Sequence, residues 1–118
     1  LHPEQWAFLE EIDMPSVIGE FHFGSDDTGL YHPGAVLAAD QTDRAIKYQG
    51  YLNSVIDNPY MVGAHWFQYI DSPTTGRAHD GENYNVGFVT TADIPYTELI
   101  NKVKEVNTYL YPRKFSDK

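Results

Sequence analysis

Apolar positions recur along this chain in two rhythms, one helical and one extended. Trp6, Leu9 and Ile12 repeat every three residues behind Pro3, with Glu4, Glu10 and Glu11 between them. That spacing predicts a short amphipathic helix over residues 2–13 with proline in its first turn. Met14-Pro15 breaks it. Ser16-Val17-Ile18-Gly19-Glu20-Phe21 then reads as a buried strand that reaches the surface at a glutamate. Ala45, Tyr48, Leu52 and Val55 form one stripe, flanked by Ile46, Tyr51 and Ile56, and predict a helix over residues 40–57. Asp40 suits its N-cap, and Asn58-Pro59 stops it.

The near-continuous apolar run at residues 60–69 is the pattern of a parallel strand covered on both faces. Residues 86–89 predict a short strand or an extended segment. Leu99, Val103, Val106 and Leu110 predict a last helix over residues 95–111, with Pro95 at its start and Pro112 closing it. The charged tail, residues 113–118, is expected to fray.

Two long connections separate these elements, residues 23–40 and 70–85, both rich in glycine, proline and aspartate. Connections longer than about 12–15 residues are uncommon inside compact domains and are often functional. The order is helix, strand, long loop, helix, strand, long loop, helix, which is two βα units of a parallel α/β architecture. The predicted strands start at residues 16 and 60, 44 apart, against about 30 per unit in a (β/α)8 barrel. The excess lies in the loops that follow the strands, where that fold builds its active site.

Composition narrows the function classes. A chain of 118 residues is long enough for one domain and would bury roughly 65% of its unfolded surface. With 8 Lys+Arg against 17 Asp+Glu, the net charge of −9 leaves no basic face for nucleic acid and no polybasic anchor for a membrane. No apolar run approaches the roughly 20 residues of a membrane-spanning helix. The absence of cysteine excludes disulfides, thiol catalysis and cysteine-ligated zinc, and leaves the compartment open. Aromatic residues make up 14% of the chain; they suit neutral sugars, whose C–H faces stack on rings, and equally an ordinary aromatic core. The chain begins at Leu1 with no signal-peptide pattern and reads as a processed product or a piece of something longer.

Glu20 is the first candidate for chemistry. A carboxylate at the C-terminal end of an α/β strand is placed to act as nucleophile or as acid–base group; the alternative is an ion pair with Arg77 or a lysine. His22 and His65 flank the same region. Neither HExxH nor HxH spacing is present, so zinc is disfavoured, and orientation of a carboxylate or contact with a ligand hydroxyl is favoured. Trp66, with the small Gly63-Ala64 behind it, is either a platform or core. Residues 75–85 concentrate charge and amide donors between two glycines. Asp80-Gly81-Glu82-Asn83 lacks the alternating ligands of a calcium loop, which leaves contacts to sugar hydroxyls or a solvated loop.

Gly19-Glu20-Phe21-His22-Phe23-Gly24, Gly63-Ala64-His65-Trp66-Phe67-Gln68-Tyr69, Thr75-Gly76-Arg77 and the run from Gly81-Glu82-Asn83-Tyr84-Asn85 to Val89 resemble the C-terminal end of glycoside hydrolase family 50 β-agarases. These belong to a clan of retaining glycosidases with (β/α)8 barrels, and the resemblance spans residues 14–111. It implies an α/β fold, a C-terminal fragment of a TIM barrel holding about strands seven and eight with their helices. The whole chain would then be part of one catalytic barrel, with no complete domain inside it. Glu20 would be the catalytic nucleophile. Trp66 would floor the subsite of the scissile sugar, and His22, Glu82 and Asn83 would be substrate contacts. The substrate would be agarose or agaro-oligosaccharide, cut at β-1,4 linkages without cofactor or metal, by a secreted or periplasmic bacterial enzyme.

One departure from the family matters. A retaining glycosidase uses two carboxyls about 5–5.5 Å apart, and the acid/base would sit in an Asn-Glu pair on strand four, which this chain lacks. Glu4, Glu10 and Glu11 occupy no strand end, and Asp26, Asp27 and Asp71 fall in loops. General acid catalysis contributes about 10²–10⁴-fold, so the chain alone is expected to be inactive and to require the missing N-terminal part of the barrel. Two strands with open edges would also leave Val17, Ile18, Val62 and Trp66 poorly shielded, favouring aggregation, swapping or a partly molten state. The alternatives are a β-galactosidase-like enzyme of the same clan and a non-catalytic sugar-binding remnant.

Overall fold

The computed structural model describes residues 3–116 apart from Tyr31. The two predicted strands pair in parallel, β1 (Ser16–Phe21) with β2 (Met61–Trp66), and α2 (Gln41–Asp57) connects them. A long irregular segment then leads to α3 (Thr97–Phe115). The result is a two-stranded α/β sheet with helices packed on it.

Ile18, Phe21, Ala64 and Trp66 face the helices and join Tyr48, Leu52 and Ile56 of α2 and Leu99 and Val106 of α3 in one core. Phe21 lies at its centre, stacked on Tyr51 at 4.5 Å and meeting Trp66 edge-on at 5.3 Å. Aromatic pairs of this kind contribute about 0.5–1.5 kcal/mol each beyond the area they bury. Val17 and Val62 point elsewhere and remain 53% and 70% exposed. The expected poor shielding therefore holds for these two valines, while Ile18 and Trp66 are sheltered because they sit on the helix-facing side.

The predicted first helix is broken. It consists of a 3-10 turn, Pro3–Trp6, and a single helical turn, α1 (Leu9–Ile12), and His2 lies outside the described residues. Helices shorter than about 12–15 residues are marginal by themselves, so tertiary contacts shape this one. The Trp6 indole N–H donates to Ser54 Oγ over 2.9 Å and the ring meets Tyr51 edge-on, while Leu9 packs with Val55 and Met61. Asp13, in the left-handed conformation at φ 50°, ends the segment.

α2 has the expected cap, Asp40, whose carboxylate accepts from the Asp43 N–H over 2.8 Å. β2 is shorter than the apolar run that predicts it. Phe67 N–H donates to Phe21 O, and β1 ends there, leaving nothing further to pair with. Residues 86–89 form no strand; Val89 makes isolated bridges to Ile70 and Pro95.

α3 does not stop at Pro112 but runs through it to Phe115. Its last turn is pinned from outside. Arg113 Nε and Nη2 donate to the Asp57 carboxylate, each over 2.8 Å, and Lys114 Nζ donates to Asn58 O and Met61 O, each over 2.7 Å. These anchors offset the hydrogen bond that proline cannot make, and they hold residues 113–115 in place where fraying is expected. Residues 117–118 lie outside the described residues.

Candidate active site

The ladder between the strands shifts register twice. Val17 pairs with Gly63 and Ile18 with Ala64, but Phe21 pairs with Trp66, so β1 holds one extra residue at Gly19-Glu20. Such irregularities bend a strand and re-aim its side chains, and they gather beside active sites. Glu20 is exposed at this bulge. It lines a cleft of about 310 Å³ together with His22, Ala35, Val36 and Tyr51. Arg77, the expected alternative partner, instead pairs with Asp80 at 2.5 Å and with Glu82.

His22 is half-buried just beyond β1. Its ring lies 6.0 Å from that of Phe67 and 6.3 Å from that of Tyr84, and its Nε2 accepts from the Ala35 N–H over 2.8 Å. Burial lowers its pKa below 6.5, against the Glu20 and Glu82 carboxylates, which raise it; Arg44 adds to the lowering. Glu20, His22 and Glu82 are thus one electrostatic group. Glu82 is fixed by Arg77, whose guanidinium also stands over the Phe67 ring at 5.4 Å.

The other predicted residues sit apart from this group. Trp66 is half-buried in the core: its indole N–H is shared between Val86 O at 2.8 Å and Gln68 O at 3.0 Å, and one face stacks on Phe88 at 5.2 Å. His65 is exposed. Asn83 is half-buried, and its amide makes one long contact to Thr74 O at 3.4 Å.

What holds the site was not singled out by sequence reasoning. Arg44, on α2, is fully buried. Its Nε donates to Phe23 O over 2.8 Å, Nη1 to Gln41 Oε1 over 2.7 Å, and Nη2 to Gly87 O over 2.8 Å. One guanidinium thereby fastens the exit of β1 to the loop that follows β2. Burial pulls the Arg44 pKa down to about 10, and Asp71 and Tyr96 resist that fall. The ion stays charged at neutral pH.

Asp71 is buried behind Arg44 and accepts from the Gly87 N–H over 2.8 Å, from the Asn85 amide over 3.0 and 3.1 Å, and from the Tyr96 hydroxyl. Asn85, fully buried, completes the brace. Its Oδ1 accepts from Gln41 over 2.9 Å and lies 3.0 Å from Ser25 Oγ, and its N–H donates to His32 O over 3.0 Å. The two long loops are thus joined to each other and to α2 through buried, hydrogen-bonded groups, as burial requires. The signal for Arg44 is visible in hindsight: it stands four residues before Tyr48, a charged residue on an otherwise apolar stripe.

No family model matches the chain. It is similar to β-agarase B of Vibrio sp. (strain JT0107), with 63% identity over 110 residues, covering 93% of this chain and 12% of that protein. Among solved structures, an exo-β-agarase superposes with a TM-score of 0.92 at 60% identity, over 96% of this chain and 15% of its own. The structure of PfGH50B superposes with a TM-score of 0.93 at 60% identity, over 98% of this chain and 16% of its own. The chain therefore spans about a tenth to a sixth of the proteins it matches. Over nearly its whole length it belongs to the glycoside hydrolase family 50 β-agarases.

Proposed function

We propose that this chain is the closing part of a (β/α)8 barrel in a retaining β-agarase, with β1 and β2 as its last two strands. Glu20 is the nucleophile that attacks the anomeric carbon of the sugar. The acid/base that protonates the departing oxygen belongs to a part of the barrel outside this chain, so the 118 residues alone release no neoagaro-oligosaccharide from agarose. The substrate is agarose or an agaro-oligosaccharide, met outside the bacterial cytoplasm.

The observation that carries this reading is the exposed Glu20 at a strand-end bulge, lining a cleft and free of Arg77. A nucleophilic carboxylate needs access to the reacting carbon, and the exposure of Glu20 at the cleft supports that. Glu82, held by Arg77, and Asn83 lie on the neighbouring loop with polar groups suited to sugar hydroxyls. Trp66 sits in the core among Phe21, Tyr48 and Phe88, and would floor the subsite only through the part of its half-buried ring that these leave open. The similarity to agarases supports the substrate class.

The test is covalent trapping in the full-length protein. An activated 2-fluoro-galactoside, which forms the glycosyl-enzyme and turns over slowly, should label the peptide carrying Glu20, and Glu20→Gln should abolish both label and hydrolysis. Label on another carboxylate would overturn the assignment.

A further inference from the structure

His22 is held by four separate pieces of backbone and side chain. It follows β1 directly, Phe67 approaches it from the end of β2, Tyr84 from the second long loop, and the Ala35 amide from the first. The first loop closes over the ring at Gly34. A Cβ there would stand 2.6 Å from His22 Nε2 and 2.9 Å from Cδ2, and its φ of +84° suits glycine. The Ala35 bond fixes the chemistry of the ring. A nitrogen that accepts a hydrogen bond carries no proton, so the imidazole is neutral and its hydrogen lies on Nδ1.

We infer that His22 is a positioning residue for Glu20: a neutral imidazole bolted to the first loop through Ala35 N–H, leaving Nδ1–H as its one donor in the cleft that the two residues share. This rests on the reading of Glu20 as nucleophile, and it turns His22 from a general sugar contact into a single-donor group of fixed tautomer. A second proton, on Nε2, would set N–H against N–H, break the Ala35 bond and release residues 33–36 from the ring. The charged groups around the ring are Glu20 on β1 and Glu82 on the second loop, which favour that proton, and Arg44 on α2, which opposes it together with burial. At neutral pH the bolt is closed. Acid opens it.

The experiment follows deuterium uptake in the full-length protein by mass spectrometry. Imidazole Cε1–H exchange against pH should give His22 a midpoint below 6.5. Ala35→Pro, which removes the amide donor, should raise that midpoint and carry the acid limb of kcat with it. Should Ala35→Pro not fold, the wild type suffices: Ala35 amide protection, corrected for intrinsic rate, should fall by about tenfold or more as pH drops through the His22 midpoint. His22→Phe should lower kcat by about 10²-fold with little change in KM, and His22→Gln, whose Oε1 can still accept from Ala35, should recover much of it. A His22 midpoint at or above the ordinary value, or Ala35 protection that ignores pH, would overturn the inference. Failure of fluoro-sugar labelling at Glu20 with intact His22 titration would instead sink the nucleophile assignment, and with it the service of His22 to Glu20, while the Ala35 bolt and its acid opening would stand.

Discussion

Arg44→Met is the most informative perturbation of the loop brace. Methionine keeps much of the side-chain volume, but it removes the guanidinium and with it the cation that stands over the Trp66 and Tyr96 rings. Phe23 O, Gly87 O and Gln41 Oε1 each lose a donor, and buried Asp71 loses its nearby cation. Each of the three acceptors left unsatisfied costs about 1–3 kcal/mol, and Asp71 loses the attraction of a nearby cation as well. Rearrangement and entering water offset part of that sum, so about 3 kcal/mol is the lower end expected for local opening.

Every 1.4 kcal/mol is about a tenfold change in an equilibrium constant. Amide protection across residues 23–38 and 84–89 of the full-length protein should therefore fall by about 10²-fold. Asp71→Asn in the Arg44→Met background removes the stranded charge. Asp71 keeps its donors from Asn85, Gly87 and Tyr96, so the second change should restore only part of the loss, about 1 kcal/mol. Wild-type protection in Arg44→Met would refute the idea that this guanidinium ties the loops together.

Other outcomes follow from the same geometry. Gly34→Ala forces a Cβ against the His22 ring at a positive φ; it should cost about 1–3 kcal/mol locally and be seen as faster amide exchange at residues 33–36. Asp40→Ala deletes the N-cap bond to Asp43 N–H and should weaken the first turn of α2 by about 1 kcal/mol, read as amide exchange at residues 41–44. The lowered His22 pKa means that the unfolded state takes up its proton first. The stability His22 contributes is therefore present above its unfolded value near 6.5, is lost as pH falls toward the folded value, and is level below that. Urea titration at a series of pH values checks it, and His22→Gln should flatten that part of the curve.

The regular elements were readable wherever the apolar spacing was long or the punctuation clear. Seventeen residues of α2, with Asp40 before and Asn58-Pro59 after, and the six of β1 form the elements their pattern indicates, although β1 is buried at Phe21 alone and not along its apolar run. Misreadings arise where distant contacts decide. The path of the chain before β1 depends on Trp6 finding Ser54, and continuation past Pro112 depends on Arg113 finding Asp57. Neither partner is visible in local sequence.

The same division applies at the site. Glu20 stood out because a carboxylate ending an apolar run is unusual by itself. Arg44, Asp71 and Asn85 acquire meaning only from one another, since each is buried by groups from other segments. Trp66 shows the converse. Its position beside the strand end was legible, but the bonds from its indole to Val86 O and Gln68 O, which draw it inward, were not.

The fastening of both long loops to a single helix has a consequence for enzyme engineering. Asn85 reaches Ser25, Gln41 and Asp71 at once, and Arg44 reaches the carbonyls on both sides. Transplanting either loop alone into a related barrel would import half of a lock without its key. The exchangeable cassette is the pair of loops together with the opening turn of the helix between the strands, and specificity grafts cut along those lines should arrive with their geometry intact.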